Sequence, residues 1–125
     1  MPNAADTVGR FHAALEREDF VTARRLLGEP FSFVAWFDRF DEPDAYIDAL
    51  RTLSGFVVKI DVHKVFVDGG DVCVLYDAHT VRGAVTLVAA WFRTDEDRIV
   101  AVRIVCDPRP FAEVWGKNRS DAHPL

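Results

Sequence analysis

The second half of the chain is the strongest constraint on its fold. From Phe56 to Asp107, runs rich in Val, Ile, Phe and Trp alternate with short turn signals: Asp68-Gly69-Gly70-Asp71, Arg82-Gly83 and Thr94 to Arg98. Runs of this length, bounded by such turns, read as antiparallel strands joined by hairpins. The expected strands are Phe56 to Val67, long or bent, then Val72 to Val81, Ala84 to Arg93 and Ile99 to Cys106. A meander of this kind has two faces, and other elements must cover at least one of them.

The first half supplies the cover. From Ala4 to Glu18, the residues Val8, Phe11, His12 and Leu15 recur at helical spacing while Arg10, Glu16 and Arg17 face elsewhere. Asp19 is placed to cap a second helix, Phe20 to Leu27, which Gly28 and Pro30 stop. Pro43 suits the first turn of a third helix carrying Tyr46, Ile47, Leu50 and Leu53, and Ser54-Gly55 ends it. Between them Phe31 to Phe37, aromatic and branched, reads as a strand. The expected class is α+β, three N-terminal helices packed in a curved antiparallel sheet.

Composition narrows the function. The 125 residues carry 15 Lys and Arg against 20 Asp and Glu, a net charge of -5. Such a chain lacks the clustered positive surface that binding to a nucleic-acid backbone requires. Ala84 to Phe92, the longest apolar run, is far short of the roughly 20 residues of a membrane span. No basic and hydrophobic leader opens the sequence, so a cytoplasmic location is expected, with neither membrane nor nucleic acid as partner. Cys73 and Cys106 belong to no metal or redox motif and are expected to stay reduced. The four His, at 12, 63, 79 and 123, form no close ligand pair, so no metal and no cofactor is expected. Residues 1–115 read as the domain and Gly116 to Leu125 as a polar tail.

Neither set of alternating side chains in the late strands is cleanly polar. Val85, Leu87, Ala89 and Trp91 alternate with Thr86, Val88, Ala90 and Phe92. Three helices cover one side of such a sheet, so the outer side is expected to meet a second copy in a homodimer.

The order helix, helix, strand, helix, curved sheet resembles the nuclear-transport-factor-2-like superfamily, which includes SnoaL-like cyclases and ketosteroid isomerases. The resemblance rests on Phe11-His12-Ala13-Ala14-Leu15-Glu16-Arg17-Glu18-Asp19-Phe20, Leu26-Leu27, the Val-x-Val-x-Tyr run at 72 to 76, and Ala90-Trp91-Phe92-Arg93 with Asp97-Arg98-Ile99. It implies a cone with an apolar pocket at its open end, and dimers through the outer sheet face. It also places Ala35 and Ala89 at two of the ketosteroid isomerase acids, so those usual acids are not matched. Arg93-Thr94-Asp95 falls at a strand end, unlike the Arg-x-Asp unit inside a strand of the epoxide hydrolases of this fold.

Three residues are candidates for acid/base work. His12 puts a titratable ring on an apolar stripe, and Glu16 one turn later is placed to fix its tautomer. Tyr76 shares a strand face with Val72, Val74 and Ala78, and Asp38 is the carboxylate nearest Ala35. Phe33, Tyr46, Leu50, Val74, Leu87, Ala89, Trp91 and Val102 are the expected pocket wall, with Tyr46 at its mouth. Asp77 and His79 are expected to face outward. The implied function is binding of a hydrophobic or aromatic small molecule, with isomerase, cyclase or dehydratase chemistry; the alternative is a non-catalytic ligand-binding or interaction module.

Overall fold

The computed structural model describes residues 3–111. Helix α1, Ala4–Glu16, opens on a capping box: Asn3 Oδ1 accepts from the Asp6 amide at 2.8 Å, and Asp6 Oδ2 accepts from the Asn3 amide at 3.3 Å. Helix α2, Phe20–Arg25, is capped by Asp19, whose carboxylate accepts from the amide and hydroxyl of Thr22. Those two bonds hold the Asp19 carboxyl below the usual carboxylate range. Helix α3, Pro43–Leu53, begins at its proline as expected.

Six strands form one sheet: β1 Leu27–Ala35, β2 Asp38–Phe40, β3 Val57–Asp68, β4 Asp71–Thr80, β5 Val85–Asp95 and β6 Arg98–Cys106. Their order is β2-β1-β6-β5-β4-β3. The sheet is mixed rather than wholly antiparallel, because β1 lies parallel to β6, with Phe33 beside Val102 and Ala35 beside Ile104. The first strand also starts earlier than its aromatic run, at Leu27, and residues 36 and 37 form a turn into the unexpected strand β2. Bulges at Val57/Lys59 and Val62/Lys64 interrupt the register of β3 against β4, and such irregularities bend a strand.

The β3–β4 turn needs its glycines. Gly69 has φ +60°, and a Cβ on Gly70 would sit 2.9 Å from the Thr94 carbonyl oxygen. Register fixes the faces. Phe33, Val102, Phe92 and Val72 stand in one row across β1, β6, β5 and β4, all buried under the helices with Phe11. The inward set of β5 is therefore Thr86, Val88, Ala90 and Phe92. Leu87, Ala89 and Trp91, expected in the pocket wall, lie on the outer face; Leu87 is 58% and Trp91 44% exposed. Among the described residues no helix is long and apolar enough to cross a membrane. Residues 112–125, including the expected polar tail, lie outside the described residues.

Candidate functional site

Three polar side chains converge on the inner face. His12 comes from α1, Tyr46 from α3 and Tyr76 from β4. The His12 ring stands edge-on to Phe92 at 5.3 Å between centroids and edge-on to Tyr76 at 6.4 Å. Tyr46 is only 3% exposed and stacks on Phe33 at 4.7 Å and on Phe31 at 5.4 Å. Tyr46 is thus a core residue rather than a mouth residue.

None of the three makes a hydrogen bond to another described residue. Buried polar groups are normally paired, because an unmet donor or acceptor costs about 1–3 kcal/mol of desolvation. Tyr46 bears that deficit in full, whereas His12 and Tyr76 are half-buried and bear it in part.

Burial lowers the His12 pKa to about 4, and no charged neighbour contributes. The ring is neutral at neutral pH, able to donate through one nitrogen and accept through the other. Burial also pushes the Tyr46 and Tyr76 phenols above their ordinary range. For Tyr46 the neighbouring Tyr76 adds to the effect, and for Tyr76 the neighbouring Cys106 does so. Both phenols therefore remain neutral donors. The Cys106 thiol, raised to about 11 by burial and then by Asp107, is a poor nucleophile at neutral pH.

Strand register shows a way in. Val62 is the β3 partner of Tyr76 and so shares its face, yet it is exposed. The inner face is thus open on the β3 side of Tyr76. A separate open depression of about 490 Å³, lined by Ala5, Asp6, Gly9, Arg10 and Ala13, lies on α1 and includes none of the three polar residues.

The structure places the remaining candidates as follows. Asp38 is the cross-strand partner of Ala35 and shares its inward side with Phe33 and Phe40. It is 7% exposed, and its Oδ1 accepts from the Arg39 amide at 2.8 Å. The β1–β2 hairpin brings this carboxylate to the inner face, on a strand separated from Tyr76 by β1, β6 and β5. Phe33, Val74 and Val102 are buried on the inner face, and Leu50 packs partly buried against the core. Glu16 is solvent-exposed and is not hydrogen-bonded to His12.

Asp77 and His79 face outward as expected, but in pairs that the sequence did not reveal. His63 Nε2 lies 3.0 Å from Asp77 Oδ2, and His79 Nε2 lies 2.8 Å from Asp61 Oδ2. Counting outward from the Gly69-Gly70 turn, with allowance for a bulge, was the available signal that Asp61 faces Asp77.

With this geometry fixed, the comparisons place the fold. An NTF2-like protein of unknown function from Cytophaga hutchinsonii matches with a TM-score of 0.78 and 28% identity, over 89% of this chain and 96% of that one. The fold is that of the NTF2-like superfamily. A steroid delta-isomerase from Pseudomonas aeruginosa shares the NTF2-like architecture at a TM-score of 0.79 and 21% identity, covering 97% of this chain and 94% of its own. An LEH-like epoxide hydrolase from M. tuberculosis matches at 0.74 and 24%, covering 94% and 92%. No protein-family model and no curated protein matches the chain. The structural neighbours of this chain thus include both an isomerase and a hydrolase, so its own residues must carry the functional argument.

Proposed function

We propose that the inner face binds an uncharged, largely hydrophobic small molecule through a carbonyl or hydroxyl oxygen held by His12, Tyr46 and Tyr76. The observation that carries this reading is the convergence of three inward polar groups without hydrogen-bond partners among the described residues. A ligand oxygen supplies the missing partner, and Phe11, Phe33 and Phe92 supply apolar contact. Neutral donors in a desolvated site favour neutral ligands, because an anion would be stripped of water with no cation to compensate.

The catalytic form of the reading is an isomerisation by proton transfer. Asp38 takes a proton from carbon next to the ligand carbonyl, Tyr76 and His12 donate to the oxygen where charge builds, and the proton returns to another carbon. The second reading is binding without turnover. It is favoured by Ala35 in the row where a base is expected and by the distance in strand order between Asp38 and Tyr76.

Calorimetric titration with 1-tetralone, 1-naphthol and 1-naphthoate tests the binding reading. The ketone and phenol are expected to bind and the carboxylate not to, with Tyr76→Phe weakening the neutral probes about tenfold. Equal binding of all three, or no effect of Tyr76→Phe, contradicts it. Asp38→Asn separates the two readings: loss of turnover with retained binding supports catalysis.

A further inference from the structure

Strand β3 is open to solvent along most of its length, yet its side chains are sorted by face. Lys59, Asp61, Lys64 and Asp68 stand opposite His79, Asp77, Leu75 and Asp71 on the outer face, and His63, in the bulge, reaches out to Asp77. Ile60, Val62, Val65 and Val67 stand opposite Ala78, Tyr76, Val74 and Val72 on the inner face. These four form an apolar row without a charge, and each is between 39% and 55% exposed. Alternation of this kind ordinarily turns the apolar set into a core. Here the core stops one strand short: Val72, Val74 and Ala78 are buried in it, and the row beside them is not.

We propose that this row seats the alkyl chain of an elongated ligand whose oxygen is held at His12 and Tyr76, so that the site takes a phenol, alcohol or ketone carrying a linear apolar tail. The inference rests on the binding reading above and names the class of ligand. Val62 joins the two parts, because it is the cross-strand partner of Tyr76. From there Val65 and Val67 carry the row toward the Gly69-Gly70 turn, and Ile60 extends it the other way. A ligand oxygen at Tyr76 therefore has uncharged surface leading away from it along β3.

Dimensions select a chain of methylenes over a protein as the occupant. Neighbouring strands lie about 5 Å apart and rise about 3.3 Å per residue, so the row is one strand wide and about 20 Å long, on the order of 100 Å². A stable protein partner needs about 800 Å² on each side. A linear alkyl chain matches the width of the row and meets no charged group along it, so its burial there costs no ion its water.

Calorimetric titration of the full chain with 4-ethylphenol and 4-hexylphenol, and with 1-naphthol as a probe of the oxygen site alone, tests the inference. 4-Hexylphenol, longer by four methylenes, is expected to bind about tenfold tighter or more than 4-ethylphenol. Val65→Asp is expected to abolish that gain while leaving 1-naphthol binding within about twofold. Phe66→Asp, next along the strand but opposite Cys73 on the outer face, is expected to keep the gain. Circular dichroism confirms that the variants fold; Val65→Thr with Val67→Thr, nearly unchanged in shape, is expected to lower the gain if Val65→Asp does not. Equal binding of the two alkylphenols overturns the inference and leaves the oxygen site standing, as does a gain kept in Val65→Asp or lost alike in Phe66→Asp. Failure of both 1-naphthol and 4-ethylphenol to bind overturns the oxygen site itself, and the inference with it.

Discussion

The two faces of the sheet handle polar groups in opposite ways. On the inner face His12, Tyr46 and Tyr76 sit among Phe rings with no hydrogen-bond partner among the described residues. On the outer face the polar groups are paired: His63 with Asp77, His79 with Asp61, and Trp91 and Arg93 both with Asp71 at 3.0 Å. Water could have satisfied the outer groups, while the inner ones have lost much of it. The costly, unpaired arrangement is therefore the one that demands an explanation in terms of a ligand.

Strand β5 offers the largest test of this contrast. Phe92→Ala is expected to lower unfolding stability by about 3–5 kcal/mol. Leu87→Ala, one strand face over, should change it by less than about 1 kcal/mol at concentrations where the chain is monomeric. Equal losses in urea denaturation would mean that the faces have been assigned wrongly.

A smaller effect comes from His12. Its folded pKa of about 4 lies below the unfolded value of 6.5. The unfolded chain therefore takes up the proton first as pH falls. The stability linked to a neutral His12 is complete above pH 6.5 and lost on acidification towards pH 4, by at most about 3 kcal/mol. His12→Leu should flatten the stability profile in that window.

The smallest effects come from groups that separate the faces without moving the fold. Tyr76→Phe removes a hydroxyl that has no partner among the described residues, so unfolding stability should stay the same or rise by up to about 1 kcal/mol. His79→Gln on the outer face should leave the denaturation midpoint of the monomer within experimental error. A marked loss of stability in Tyr76→Phe would reveal a hydrogen bond and remove the basis of the site.

Much of the fold was legible because its signals are local. The stripe of α1, Pro43 before α3, and the Gly69-Gly70 and Arg82-Gly83 turns are read within a few residues. The pairing of β1 with β6 was not legible, since it joins Leu27 to Ile99 and leaves no periodicity behind. Facing failed in β5 because both alternating sets are apolar, and Trp91 is as plausible a core residue as Phe92 until register decides. His12 and Tyr76 were found as polar groups on apolar stripes. Tyr46 entered only as a mouth residue, because its stacking on Phe33 depends on how α3 crosses β1. Asp61 and His63 gave no signal of their own on a strand that is almost wholly exposed.

The most direct test of the central claim, that the unpaired inner cluster is a binding site, is an NMR titration of the histidine rings with and without saturating 1-naphthol. The account predicts that His12 stays neutral down to about pH 4 and that its signals shift with the probe, while those of His63 and His79 do not. A His12 ring that titrates near its ordinary 6.5 and ignores the probe would show that the inner face is neither dry nor a site.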